Sequence, residues 1–156
     1  IKIIDTNFYR DIEWPIVVLL ATMIPIGVAI ESTGLSSTIS SAISGMAIGL
    51  DQFWILLIIL VTTMLITDII NNAATAVIMA PISVGIANQL GYSIEPFLMV
   101  VAVGASCAFL TPIGHQCNTV VMGPGNYKFS DYWKMGLPLD ILIILVSIPM
   151  ILFVWT

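Results

Sequence analysis

The stretch Thr67-Asp68-Ile69-Ile70-Asn71-Asn72 interrupts an otherwise apolar region that runs from Gln52 to Ala87. A helix facing lipid would not place an acid and two neighbouring amides there, because each unpaired polar group in hydrocarbon costs several kcal/mol. The pattern predicts a helical hairpin over 52–89, with its tip near 71–73 buried in protein or facing a wet cavity. Both limbs are long enough either to re-enter a membrane or to cross it, and the spacing does not decide between these alternatives.

The composition of the whole chain agrees with a membrane environment. Of 156 residues, 59% are apolar and only 8% are charged, whereas soluble domains carry roughly a quarter charged residues. Nine acids and four bases are too few to cover a water-facing surface. The net charge of −5 is not matched by any basic patch, so nucleic-acid binding has no support. Cys107 and Cys117 lie in apolar surroundings and are interpreted as free thiols.

The amino-terminal part of the sequence predicts an approach to the membrane followed by a span. Residues 1–13 are the most polar segment and read as a cytoplasmic approach, and residues 14–31 are apolar and long enough to cross. Serines and glycines then dominate, and apolar residues at helical spacing predict an interfacial amphipathic helix over 35–49. The chain has no recognisable signal peptide and is interpreted as a fragment of a longer protein.

A second interruption, Thr111-Pro112-Ile113-Gly114-His115-Gln116-Cys117-Asn118-Thr119, divides a stretch without any charged residue. Pro112 disfavours helical geometry at the preceding residue, and Gly114 loosens the backbone beside it. A simple proline kink is the alternative, but the run from 114 to 118 lacks good helix-forming apolar residues. We therefore predict a discontinuous helix over 95–123, then an interfacial segment over 127–135 and a last span over 136–156.

The orientation follows from counting the crossings. The four bases, Lys2, Arg10, Lys128 and Lys134, then all fall on one side of the membrane. The positive-inside rule assigns that side to the cytoplasm. The carboxyl end and the open end of the hairpin are therefore predicted to lie outside a cytoplasmic (inner) membrane that the chain crosses several times.

Two interrupted apolar segments in one short stretch indicate a secondary-transporter site near the membrane midplane. Half-helices that begin near Ala73 and Thr119 would direct their positive dipole ends towards an anion. Carbonyl groups freed near Ile70 and between Thr111 and Gly114 could coordinate a small cation. Each ion would then offset the desolvation cost of the other.

Less specific interpretations stand beside this one. The pair Asn71-Asn72 could form an ordinary interfacial turn, and Asp68 could be a structural partner of neighbouring amides instead of a functional or proton-carrying intramembrane acid. His115 could relay protons or, with Cys117, bind a metal, but two donors are too few for a metal site. No paired nucleophile and base is recognisable, so an enzyme is not predicted.

The two interrupted segments resemble those of the divalent-anion/sodium symporters, a family of the ion transporter superfamily. The resemblance rests on Ser106-Cys107-Ala108-Phe109-Leu110-Thr111-Pro112, continued to Asn118-Thr119 and Val121-Met122-Gly123-Pro124-Gly125, and on Asn71-Asn72-Ala73-Ala74-Thr75-Ala76 with Met79-Ala80-Pro81-Ile82 after it. It covers nearly the whole chain, as the carboxyl-terminal half of such a protein. His115-Gln116 is similar to the branch that carries regulatory TrkA carboxyl-terminal-type domains.

The resemblance implies one of two inverted repeats, each with a hairpin and a broken helix, in a homodimer that works by an elevator-like shift. It implies no cofactor, sodium as the coupling ion, and a requirement for the amino-terminal repeat. The implied sodium ligands are Thr67, Asn71, Asn72 and a carbonyl of Gly114. The implied substrate contacts are Asn72, Ala73, His115 and Gln116, and the predicted substrate site also includes Thr75, Asn118 and Thr119. Asn71 stands where the family has Ser, and Ala73 stands where it has Thr, so two hydroxyl groups are missing.

The function predicted from these features is sodium-coupled symport of a small divalent anion, with sulfate ahead of dicarboxylates. The alternatives are a cation/proton antiporter or an oxyanion exporter of the same superfamily, in which Asp68 or His115 would carry protons. An alternative from another class is a membrane subunit that only assembles partners. The predicted partners are a small anionic substrate, membrane lipid and a second copy of the protein.

Overall fold

The computed structural model describes residues 32–47 and 49–155, together with positions 18, 21, 22, 25, 28 and 29. The predicted approach segment 1–13 and most of the predicted span 14–31 lie outside the described residues. Within the described part the protein is all-helical, which confirms the predicted fold class. The helices are α1 (Leu35–Ala47), α2 (Gln52–Thr67), α3 (Asn72–Leu90), α4 (Ile94–Ala105), α5 (Gln116–Met122) and α6 (Phe129–Trp155).

Helices α2 and α3 form a hairpin whose turn lies between Thr67 and Asn72. Asn71 ends this turn in an extended conformation, and its side-chain Oδ1 accepts a hydrogen bond from the backbone N–H of Ala74 at 2.8 Å. An asparagine at this N-cap position satisfies one of the donors that a helix start leaves unpaired. The turn therefore precedes the predicted tip at 71–73, because the cap at Asn71 already places Asn72 and Ala73 inside α3.

The core of the described part lies where α4 packs against both limbs of the hairpin. Phe97 and Val100 of α4 are fully buried there, together with Leu56 and Leu60 of α2 and Ile86 of α3. Helix α6 packs against α2 and α4, and α1 packs against α3. The hairpin is therefore held by helices on several sides, which fixes the position of its tip.

The contact of α1 with α3 includes a polar side chain. Ser40 is fully buried, and its Oγ lies 2.6 Å from the carbonyl oxygen of Ser36 and 2.9 Å from that of Ile82 in α3. Ile39 and Ile43 pack against the edge of the core. The amphipathic pattern predicted over 35–49 therefore corresponds to a helix that docks on α3.

The discontinuous helix breaks earlier than the sequence predicts. Helix α4 ends at Ala105, well before Pro112, and α5 begins at Gln116 instead of near Thr119. The segment after the helix end is held by tertiary hydrogen bonds, because the carbonyl oxygen of Ala105 accepts from Thr67 Oγ1 and the backbone N–H of Leu110 and the hydroxyl of Thr111 both donate to Asp68. The early start has a local cause, because His115 Nδ1 accepts a hydrogen bond from the N–H of Cys117 at 3.1 Å and caps α5.

The segments predicted as interfacial (127–135) and spanning (136–156) form one helix. Helix α6 runs through Pro138 and Pro149 without interruption. It begins where Asp131 Oδ2 accepts a hydrogen bond from the backbone N–H of Lys128 at 2.9 Å. Two of the described helices, α3 and α6, are long and apolar enough to cross a membrane. Much of the apolar surface of α6 is exposed, up to 87% at Phe153, as expected of a helix in contact with lipid.

Candidate functional site

The hairpin tip and the non-helical segment 106–115 meet at Gly114. A Cβ atom on this glycine would lie 2.7 Å from the carbonyl oxygen of Thr67, 2.8 Å from the Cβ of Ala108 and 3.0 Å from the Cα of Asp68. The two backbones approach this closely only because Gly114 has no side chain. The two interruptions recognised in the sequence therefore form one structural unit.

The end of α2 is hydrogen-bonded to the start of α3 and to the end of α4. Thr67 is fully buried, and its Oγ1 lies 2.9 Å from Asn72 Oδ1 and 2.9 Å from the carbonyl oxygen of Ala105. One hydroxyl thus ties the start of α3 to the end of α4. Thr67 and Asn72, two of the implied sodium ligands, are in direct contact.

A cleft of ≈200 Å³ opens between the hairpin tip and the segment that leads into α5. It is lined by Asn71, Asn72, Ala73, Ile113, Gly114, His115 and Gln116. All of these except Ile113 belong to the sets of residues that the resemblance implied. The cleft is small and polar at the tip, and the first turn of α3 points its backbone N–H groups towards this end of the helix.

Three of the predicted substrate contacts do not line this cleft. Thr75 is fully buried within α3. Asn118 Nδ2 donates hydrogen bonds to the carbonyl oxygens of Ala108 and Thr111 at 2.8 and 3.2 Å. Thr119 Oγ1 donates to the carbonyl oxygen of Pro112 at 2.6 Å. Asn118 and Thr119 therefore hold the non-helical segment in shape.

Asp68 bonds the hairpin tip to the same segment. The residue is buried, its Oδ1 accepts a hydrogen bond from the backbone N–H of Leu110 at 3.0 Å, and its carbonyl oxygen accepts one from Thr111 Oγ1 at 2.6 Å. These bonds support the structural role that the sequence left open for Asp68. They do not use Asp68 Oδ2, which is buried without a hydrogen-bond partner.

Replacing Thr111 by valine is expected to lower the free energy of unfolding by about 1–3 kcal/mol, because the isosteric side chain leaves a buried carbonyl group unpaired. The lost hydroxyl donates to the carbonyl of Asp68 and accepts from the N–H of Gly114. The measurement is thermal unfolding of the intact protein in detergent. Thr62→Val, at an exposed position of α2, is the matched control, and an equal effect of the two substitutions would contradict the assignment.

The sequence analysis did not single out Asp140, an acid in the buried face of α6. Its side chain is only 5% exposed, and its Oδ1 has no hydrogen-bond partner. A signal was present, since Asp140 is the one charged residue between Gly136 and Thr156 and acids within spanning segments are generally functional.

A second and larger cavity, of ≈420 Å³, lies beside α6 and is mostly apolar. Phe109, Val121 and Leu139 contribute to its wall. Tyr132 closes one side, where its hydroxyl donates to the carbonyl oxygen of Asn118 at 2.6 Å. This contact fixes the short helix α5 against α6.

Comparison with known proteins gives consistent matches. The profile of the family described as citrate transporter matches residues 2–104 and 55–156. The uncharacterized transporter YfbS of Escherichia coli is 41% identical over 143 residues, which cover 92% of this chain and 23% of YfbS. The chain also matches sodium/sulfate cotransporter 2 of Chlamydomonas reinhardtii, 27% identical over 139 residues (88% of this chain, 16% of the relative). The sodium-dependent dicarboxylate transporter SdcS of Staphylococcus saprophyticus is 25% identical over 154 residues (97% and 29%).

The chain spans less than a third of the length of each of these relatives (23%, 16% and 29%). Their names indicate transporters and not enzymes, and with the apolar helices they identify a membrane protein. The resemblance to the divalent-anion/sodium symporters is thereby confirmed, and the chain belongs to the citrate transporter family.

Proposed function

We propose that the intact transporter containing this chain is a secondary active symporter that couples sodium to the uptake of a small divalent anion. Sulfate is the favoured substrate and dicarboxylates are the second choice. The observation that carries this proposal is the cleft in which the start of α3 faces the segment before α5. Two relatives described as sodium-dependent carriers of sulfate and of dicarboxylates support the same ion and the same substrate class.

The anion would bind to backbone and neutral side-chain donors. At the start of α3, Asn71 takes up the N–H groups of Ala74, through its side chain, and of Thr75, through its carbonyl oxygen. The N–H groups of Asn72 and Ala73, which line the cleft, are then available to an anion at the positive end of the helix dipole. The side chains of His115 and Gln116 stand opposite. Such a donor set suits a small oxyanion such as sulfate.

Sodium would bind beside the anion, next to the contact between Thr67 and Asn72. The two side-chain oxygens, 2.9 Å apart, are the type of hard ligand that alkali cations take. The carbonyl group of Gly114 is the third implied ligand, and its backbone lies against Thr67. Asn71 Oδ1 already accepts the N–H of Ala74, so we assign Asn71 to positioning the tip.

The proposed assembly extends beyond this chain. We propose that an amino-terminal inverted repeat supplies the other half of the site, that the protein works as a homodimer with an elevator-like shift, and that the carboxyl end lies outside the cytoplasmic membrane. The shares of the relatives that this chain covers, 16% to 29%, leave room for such a repeat and for a regulatory domain.

The test is uptake of labelled sulfate by the intact transporter in proteoliposomes, with an inward sodium gradient and with choline replacing sodium. Sodium-stimulated sulfate uptake would support the proposal. Uptake of labelled succinate or citrate alone would keep the symport mechanism and change the substrate. No sodium-stimulated uptake of any of the three anions, together with a sodium-driven pH change in the vesicles, would contradict symport and favour the antiporter.

A further inference from the structure

Two buried acids each keep one carboxylate oxygen without a hydrogen-bond partner. The atoms are Oδ2 of Asp68, whose side chain is 4% exposed, and Oδ1 of Asp140, whose side chain is 5% exposed. A buried carboxylate without a charged partner is strongly unfavourable, so such a group normally takes up a proton, a cation or a further hydrogen-bond donor. Neither of the ion contacts discussed above uses these two oxygens.

The peptide group between Phe109 and Leu110 lies between the hairpin tip, which carries Asp68, and α6, which carries Asp140. A Cβ atom on Gly136 of α6 would collide with the carbonyl group of Phe109 and lie 3.1 Å from the nitrogen of Leu110. The N–H of Leu110 donates to Asp68 Oδ1 at 3.0 Å. Asp140 follows Gly136 by one helical turn and is therefore on the same face of α6. Asp68 and Asp140 therefore belong to two elements that both contact the peptide group between Phe109 and Leu110.

The described part of the chain does not supply an internal partner for these oxygens. Lys134 is 71% exposed and pairs with Asp131, and Lys128 is exposed before the start of α6. A proton on either carboxyl group would also neutralise it, and the sodium counts of the variants described below distinguish a bound proton from a bound cation. The chain between 32 and 155 also shows no group of three His, Cys, Asp or Glu side chains as metal ligands, the ligand set typical of a zinc site.

We propose that Asp68 and Asp140 together bind a monovalent alkali cation, sodium, between the hairpin tip and α6. An alkali cation needs only oxygen ligands, and it neutralises part of the paired negative charge without being held too tightly to leave. The choice of sodium rests on the proposed function, whereas the site rests on the two acids. Because α6 and the tip would share this ion, its binding would lock α6 to the segment that carries the cleft.

The test is the number of sodium ions bound per protomer by the purified intact transporter, measured with radioactive sodium by equilibrium dialysis. The variants are Asp140→Asn, Asp68→Asn and the double variant, with Asp51→Asn as the matched control at an exposed acid that makes no side-chain capping bond. Asparagine keeps an oxygen that can still accept the N–H of Leu110. We expect each single variant and the double variant to bind about one sodium ion fewer per protomer than the parent. The two substitutions are not additive, because both acids would bind the same ion.

Thermal unfolding provides a second readout that does not depend on the dialysis. Sodium should raise the unfolding temperature of Asp140→Asn by less than it raises that of the parent, since a lost site removes its share of ligand stabilisation. If folded Asp140→Asn bound as many sodium ions as the parent, the proposal would be overturned. The two acids would then hold protons or no ligand at all.

The outcomes also separate this site from the proposed function. Ion loss in Asp140→Asn without sodium-driven anion uptake by the parent would support the site and contradict the symport. If Asn72→Ala lost a sodium ion while Asp140→Asn and Asp68→Asn bound as many ions as the parent, the site at the two acids would be overturned. Sodium-driven uptake by the parent would then still support the symport.

Discussion

Replacing Gly114 by alanine is expected to reduce sodium-driven anion uptake by the intact transporter at least about tenfold, the change that roughly 1.4 kcal/mol produces. The added methyl group would lie 2.7 Å from the carbonyl oxygen of Thr67 and 3.0 Å from the Cα of Asp68. Both neighbours are backbone atoms, so the segment itself must move, and overpacking of this kind typically costs about 1–3 kcal/mol. The movement would widen the cleft and displace the proposed carbonyl ligand. The measurement is initial uptake of the labelled anion at several sodium concentrations.

Gly45→Ala is the matched control for Gly114→Ala. Gly45 lies within α1 and is exposed, and a Cβ atom there would have no neighbour within 4 Å. This variant should transport like the parent. If Gly114→Ala transported equally well, the close approach of the two backbones would not control the site, and the cleft would have to be assigned to another role.

Replacing Asn72 by alanine is expected to reduce sodium-driven uptake about tenfold to a hundredfold, an effect of the same order as that of Gly114→Ala. The amide contacts Thr67 at 2.9 Å and lines the cleft. A polar contact to a charged group contributes about 1.5–3 kcal/mol, so the loss of the proposed sodium ligand corresponds to this range of rates. Because the lost atom is the proposed sodium ligand, the sodium concentration for half-maximal uptake should rise as well.

Asn88→Ala is the control on the same helix. Asn88 lies near the other end of α3 and is exposed, so its removal should change neither uptake nor its dependence on sodium. An Asn72→Ala variant with the sodium dependence of the parent would argue against sodium binding at the tip. A normal sodium dependence with a weakened anion affinity would instead assign Asn72 to the substrate alone.

The hairpin tip and the segment 106–115 are best understood as one rigid unit. Asp68 bonds to Leu110 and Thr111, Thr67 reaches Ala105, and Gly114 packs on Thr67. The packing of Gly136 against the backbone of Phe109 adds α6 to this unit. Any movement that carries the cleft would therefore carry these elements together.

The sequence was sufficient to recognise the two interruptions and the membrane environment. Few charges, long apolar runs and polar residues at 67–72 and 111–119 have a local physical meaning, since a polar backbone inside hydrocarbon needs shelter. The sequence also indicated six of the seven residues that line the cleft, although the resemblance to a known family was needed to assign their roles. Ile113 was the exception, because an apolar side chain beside a proline carries no distinctive pattern.

Only the tertiary structure decided where the helices end and which polar groups remain unpaired. Where α4 ends, the carbonyl of Ala105 accepts the hydroxyl of Thr67, and beyond it the N–H of Leu110 donates to Asp68. Both partners are distant in the sequence, and no local propensity encodes these bonds. Asn118 and Thr119 bond to their own segment instead of lining the cleft, which depends on the path of the backbone. The packing of Gly136 against Phe109 determines which element the α6 face with Asp140 meets. The sequence thus determined which polar residues must be buried away from lipid. The packing of α6 and the hairpin determined which groups bury them and which hydrogen bonds they make.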